Sequence, residues 1–392
     1  MSGGPEVRVA YLDNAATTPV RAEVLEAMMP WLTSGYGNAS GAHVMARAAR
    51  RAVDDARDVL AEALGGEPGE VVFTGGGTEA DNLAVAGAVS AAREGGNEYP
   101  LVACSAVEHP AVLEPVRAAG GVVLPVDEFG VLHLEAAREW LSERAGELAE
   151  LSVMLVNNET GVLQPVESVV ELTRELAPEA LVHTDAVQAL GWLEVGAMCA
   201  GADLVSVSAH KIGGPKGAGA LLVRSAARSR LRPVLRGGPQ ERELRAGTHD
   251  VAGIVAMACA ARLAMTERSE ACARVAALAD TLVAGVLGTV TGSGTAVPAD
   301  RRIAAIVNLW FDGVEAEELL LVLDELGICA SAGSACASGA IEPSHVLLAM
   351  GRAPEEAKRH IRLSLGHQTT TEDIDQALVA IPEAVARLRH WS

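Results

Sequence analysis

Residues 204–217 read LVSVSAHKIGGPKG. Apolar and small side chains alternate as far as Ala209, His210 and Lys211 follow, and a glycine-rich exit comes next. This pattern predicts a buried strand that delivers one lysine to a cleft. A desolvated amine held there suits Schiff-base chemistry. Taken alone, the stretch leaves open an ordinary strand-to-loop exit with a solvated lysine. Ser206, Ser208 and His210 stand close to Lys211 in the chain and make a phosphate neighbour a further expectation.

On either side the sequence alternates between strand-like and helix-like segments. Residues 70–74 (EVVFT) read as a short strand that runs into Gly75-Gly76-Gly77-Thr78-Glu79 and then a helix carrying Leu83, Val85 and Ala86. Such a start offers free backbone N–H groups and the positive end of a helix dipole to an anion. Its spacing matches neither the Walker loop nor the dinucleotide fingerprint. Further strands are predicted at 101–106, 122–126, 151–156, 180–184 and 217–224, with helices after Glu108-His109-Pro110 and over 166–176. The pattern predicts an α/β fold with a mostly parallel sheet covered by helices on both faces. Thr78, His109, Asn158, Asp185 and Lys211 all fall just after strand carboxyl ends, the edge at which open α/β sheets bind ligands.

Before this region come a strand-like VRVAYLD, the turn NAATTP, helices over 21–31 and 46–64, and between them the loop SGYGNASGAH. After residue 248 the character changes. An Ala-rich helix is expected over 251–287, then a loop over 288–298, a strand over 306–311 and a helix over 315–326. The stretch SAGSACASGAIEPSHVL, the segment IRLSLG and a helix over 371–390 complete the order. We read residues 17–264 as a large domain and residues 1–16 plus 265–392 as a smaller α+β domain.

Composition narrows the class. Of the 392 residues 49% are hydrophobic, and the formal net charge of −20 argues against direct binding to nucleic acid or anionic membrane. No apolar run is expected to reach the length of a membrane span, and MSGGPEVRVAYLD lacks the basic and apolar regions of a signal peptide. The cysteines Cys104, Cys199, Cys259, Cys272, Cys329 and Cys336 form no C-x-x-C pair. Neither a disulfide framework nor a metal site is expected, and a reducing cytoplasm fits.

A lysine, an aspartate, a histidine, a phosphate cradle and a distant arginine together describe a site for pyridoxal phosphate. The lysine joins the aldehyde, the carboxylate keeps the pyridine nitrogen protonated, and an aromatic ring stacks on the cofactor. The stretches YLDNAATTP, GGTEADN, VEHPAVL, VNNETGVLQP, HTDAVQ, SAHKIGGPKGAGAL, RAGT, SAGSACASGAIEPSHVL and IRLSLG occur in order over nearly the whole chain. In these stretches the sequence resembles the cysteine desulfurases, fold-type I pyridoxal phosphate enzymes of the NifS kind with the longer catalytic loop. The resemblance implies a large mostly parallel α/β/α domain, a smaller α+β domain, and removal of sulfur from L-cysteine as a persulfide with release of L-alanine.

It also implies a role for each matching residue. Lys211 is the lysine that holds the cofactor, Asp185 partners the pyridine nitrogen, Gln188 contacts the phenolic oxygen and His109 stacks on the ring. Gly77, Thr78, Ser208 and His210 hold the phosphate, which Thr248 reaches from the second subunit of a homodimer. Asn158 and Arg362 bind the substrate, the arginine through its carboxylate. Cys336 attacks the substrate sulfur and carries it to an acceptor protein, such as an iron–sulfur scaffold or a thiolation enzyme. Cys329, in the apolar run GICAS, reads as a strand residue. Ala39, Ala209, Pro239 and Ala337 depart from the family's usual pattern in or near loops. A selenocysteine lyase, another enzyme of the same fold and a catalytically silent scaffold are the alternative readings.

Overall fold

The computed structural model describes residues 8–333 and 343–391. A seven-stranded sheet lies at its centre. From edge to edge its strands are Val71–Thr74, Gly219–Val223, Leu204–Ser208, Leu181–Asp185, Leu148–Ser152, Leu101–Ser105 and Val122–Leu124. The last five pair in parallel, while Gly219–Val223 runs antiparallel to both neighbours. The inner strands carry sequences such as LVSVS and GALLV and are buried throughout, as strands covered on both faces must be. Parallel neighbours need crossovers, and the helices Pro110–Ala118 and Val166–Leu176 supply two of them, while Gly77–Glu94 carries the chain from the edge strand Val71–Thr74 across to Leu101–Ser105.

One strand and one helix differ most from expectation. The strand expected over 151–156 is Leu148–Ser152, although Val153 and Leu155 still donate backbone hydrogen bonds to His183 and Asp185. The helix Leu134–Arg144 is an element that the sequence pattern did not announce. Only Ala137 and Leu141 of it are fully buried, so its apolar stripe is too thin to show.

A second, antiparallel sheet consists of Ser293–Thr295, Ile306–Phe311 and His360–Ser364, with Ile306–Phe311 in the middle. The early strand Ala10–Tyr11 pairs in parallel with Ile328–Cys329, and Asp13 bridges to Ser364. The first residues of the described chain are thereby stitched to its last third.

One helix, Val251–Thr289, joins the two parts without a break. Asp250 caps it by accepting from Gly253 N. Early in the helix, Cys259 Sγ contacts the carbonyl of Glu23 in helix Ala22–Thr33. Late in the helix, Gly285 lies so close to Leu378 of helix Thr371–Trp391 that an added Cβ would sit 2.4 Å from a leucine methyl. By length and composition this helix is apolar enough to cross a membrane, which corrects the expectation that no run reaches that length. In the structure it packs against helices Ala22–Thr33, Val44–Leu64 and Thr371–Trp391.

Candidate active site

The carboxyl ends of the parallel strands open on a cleft of about 1180 Å³. Strand Leu204–Ser208 ends in a single 3₁₀ turn, Ala209–Lys211, which turns the lysine into this space. Lys211 Nζ donates to the carbonyls of Ala15 (2.5 Å) and Ala16 (2.9 Å). Gln188 Nε2 donates to the same Ala15 carbonyl at 2.8 Å. Burial, then the charge of Arg362, pushes the lysine pKa down to about 8. A substantial share of the amine is therefore neutral near physiological pH, as a nucleophile requires.

Asp185 closes strand Leu181–Asp185, and its Oδ1 accepts from Val187 N at 2.8 Å. Burial raises its pKa to about 6, against the Val187 N–H and Lys211, which favour the ionised form. It is mostly a carboxylate at neutral pH. His109 caps helix Pro110–Ala118 by accepting from Ala111 N through Nδ1 at 3.1 Å. That bond assigns its proton to Nε2. Burial, then Lys211 and His345, lowers its pKa to about 4, so the ring is neutral.

The opposite corner of the cleft is built to receive an anion. Gly76, with φ of 148°, precedes the helix Gly77–Glu94, whose first N–H groups lack helical partners. A Cβ on Gly77 would lie 2.7 Å from Val187, and one on Gly219 would lie 2.5 Å from Gly76, so neither position admits a larger residue. Ser208 Oγ is buried with no hydrogen-bond partner in the protein. A buried hydroxyl left so is costly unless a ligand completes it. Thr78 and His210 line the same corner, and His210 Nδ1 lies 3.2 Å from Thr17 Oγ1. These residues fit a phosphate, and with Lys211 and Asp185 they fit pyridoxal phosphate.

Across the cleft stands the second sheet. Arg362, on strand His360–Ser364, donates to Asp13 Oδ1 (2.7 Å) and to the carbonyl of Asn158 (2.9 Å). Its Nε is buried without a partner. Asn158 lines the cleft beside it. Asp13 belongs to the quoted YLDNAATTP stretch, yet nothing local marks it as the counter-ion of a residue so distant in sequence. Arg362 also exchanges backbone hydrogen bonds with Ser331, and Ser331 and Gly333 line the cleft. Buried Glu159 accepts from Ser344 Oγ at 2.5 Å and lies against Gly333. Cys336 lies outside the described residues.

The cleft thus gathers Gly77, Thr78, His109, Asn158, Asp185, Gln188, Ser208, His210, Lys211 and Arg362 from six separate stretches of chain. It does not include Thr248, which is exposed. Below it, Asp81, which also lines the cleft, lies in a buried polar ladder. His183 contacts Ser206 and Ser152 at 2.9 Å each, and Ser152 donates to Glu150. Beside Thr248, Glu241, Arg242 and Glu243 have φ of 44°, 54° and 68°. Each left-handed non-glycine residue costs about 1–2 kcal/mol. Glu241 is buried; burial alone would push its pKa up, but hydrogen bonds from Arg57 and His249 hold it at about 2.

The aminotransferase class-V family model matches residues 10–377. The chain is 40% identical over 392 residues to a cysteine desulfurase IscS of Methanosarcina thermophila, covering 99% of this chain and 94% of that protein. It is 41% identical over 390 residues to an IscS-like cysteine desulfurase of Mycobacterium tuberculosis, covering 97% of each. Among solved structures, a NifS-like protein superposes with a TM-score of 0.88 at 34% identity, covering 97% of this chain and all (100%) of that one. SspA in complex with cysteine superposes with a TM-score of 0.76 at 31% identity, covering 92% and 100%.

Proposed function

The chain belongs to the aminotransferase class-V family, and we infer that within it the chain is a cysteine desulfurase, an enzyme that takes sulfur from L-cysteine and leaves L-alanine. The observation that carries the site assignment is the convergence of a Lys211 whose pKa is pushed down to about 8, a buried Asp185 and an unpartnered Ser208 hydroxyl on one cleft. Pyridoxal phosphate, when bound, supplies an electron sink for bonds at the substrate α-carbon.

The chain's own residues do the rest. Lys211 would anchor the cofactor through its neutral amine and, once released from it, would serve as a base toward the substrate. Asp185 would present an ionised carboxylate to the ring nitrogen, and neutral His109 would cover the ring face. Gln188 meets the phenolic oxygen. Gly77, Thr78, Ser208 and His210, with the helix N–H groups, hold the phosphate, and Thr248 reaches the phosphate of a second copy in a homodimer. Arg362 and Asn158 bind the cysteine, the guanidinium fixing its carboxylate in a charge-assisted pair.

Cys336 supplies the thiolate. It bonds to the substrate sulfur as the carbon–sulfur bond breaks, the carbon takes a proton, and the extra sulfur stays on Cys336 as a persulfide. The division between large and small parts falls near residue 264, inside helix Val251–Thr289, with residues 1–16 belonging to the smaller part. We place the protein in the cytoplasm, with an iron–sulfur scaffold or thiolation enzyme as sulfur acceptor.

The test is single turnover with L-cysteine. The wild type forms alanine in step with protein-bound persulfide. Cys336→Ala keeps its colour and still changes spectrum when cysteine is added, but forms neither product. Normal turnover by this variant without added thiol overturns the assignment of Cys336.

A further inference from the structure

Thr248 stands where this chain's own cleft does not use it, yet the backbone on both sides of it is fastened. Gly247 N donates to Gln240 Oε1 at 3.1 Å. His249 Nε2 lies 2.7 Å from Glu241 Oε1 and, facing a carboxylate, donates. Two successive residues, Gln240 and Glu241, therefore grip the two neighbours of Thr248.

Glu241 is itself fixed from the other side. Arg57 pairs with both of its oxygens, at 2.7 and 2.8 Å, and Phe73 N donates to Oε2 at 2.8 Å. Phe73 lies on the strand Val71–Thr74, which leads directly into the phosphate corner. Arg245 reaches the start of the next helix through Glu79 at 2.8 Å, and Glu79 accepts from Gly75 N. The grip thus refers Thr248 to the corner of this chain's own cleft. A run of three left-handed residues without glycine persists only where its surroundings over-determine it, and here the Glu241 carboxylate is the group they converge on.

We propose that Glu241 is a positioning residue for Thr248, and that the cleft it serves belongs to a second copy of this chain. This rests on the reading of Thr248 as a phosphate ligand across a dimer. The Arg57–Glu241–His249 clamp fixes the height and angle at which one subunit offers its threonine to the other's phosphate corner. A purely structural clamp would instead affect the cleft of the subunit that carries it.

Heterodimers separate the two. One chain carries Lys211→Ala, so the visible band of Lys211-bound pyridoxal phosphate reports only the other chain's pocket. In the first arrangement Glu241→Gln is on the Lys211→Ala chain; in the second it is on the chain that keeps Lys211. Titration with pyridoxal phosphate gives affinity weakened about tenfold in the first and unchanged in the second, the scale of one lost hydrogen bond. The reverse pattern, an equal loss in both, or no loss in either overturns the proposal. Thr248→Ala is run in the same two arrangements. If its defect crosses the interface and that of Glu241→Gln does not, the positioning role alone falls. If neither crosses, the shared-site reading falls with it. Should Glu241→Gln fail to fold, Arg57→Met/Glu241→Met removes the clamp without stranding a buried charge, and the same patterns decide.

Discussion

Lys211 and Arg362 face one cleft from two different sheets, and their surroundings differ in kind. Lys211 is met by the neutral carbonyls of Ala15 and Ala16, and burial lowers its pKa to about 8. Arg362 is more deeply buried, and a carboxylate, Asp13, lies 2.7 Å from it. A group that must lose its proton is given dipoles, which steady a cation without requiring one. A group that must keep its charge is given a counter-charge. Asp13 bonds Arg362 directly and acts on Lys211 only as a more distant charge, together with Asp185.

Exchanging the two kinds of cation breaks the comparison most severely. Lys211→Arg keeps a positive head but removes the amine that can turn neutral. We expect no reducible link to the cofactor and no alanine above background, measured by borohydride trapping with peptide mapping and by product assay. Trapping on another lysine in the wild type would remove Lys211 from its role.

Truncating the other cation has a smaller effect. Arg362→Ala should weaken cysteine binding by about one to two decades, the worth of a charge-assisted hydrogen bond, while cofactor affinity changes little. Spectral titration with cysteine measures it. Unchanged cysteine affinity would place the carboxylate elsewhere.

The smallest effect joins the two residues. Below its pKa of about 8, Lys211 is mainly protonated, so the rate of cofactor attachment should climb about tenfold per pH unit and level off above that value. The charge of Arg362 helps hold the lysine pKa down. In Arg362→Ala the profile should therefore move to higher pH. A profile that stays in place would show that burial alone sets the lysine.

The parts of the site that the sequence made legible are those that local patterns encode. Lys211 and His109 follow strand ends, Asp185 closes a strand, and Gly77 and Thr78 open a helix behind two further glycines. The mostly parallel sheet was equally legible from its buried strands. What escaped depends on meetings across the chain. The Asp13–Arg362 pair joins residues 349 apart, and no periodicity records it. The left-handed run at Glu241–Glu243 lacks the glycines that announce such a backbone, because the buried Arg57 contact holds it. The antiparallel direction of Gly219–Val223 is set by pairing with two neighbours, and an apolar strand reads the same in either direction.

The stitch between Asp13 and the strand of Arg362 also orders events during synthesis. The ribosome releases Asp13 long before Arg362, and chains are made at about 5–20 residues per second. Every strand of the seven-stranded sheet lies before residue 224, so all of them are made while Asp13 still lacks its cation and Asn14 the Ser364 carbonyl. Arg362, which we propose binds the cysteine carboxylate, is then absent, although Ser208 and Lys211 have already been made. The strand that closes the cleft opposite Lys211 therefore arrives only when the chain is almost whole.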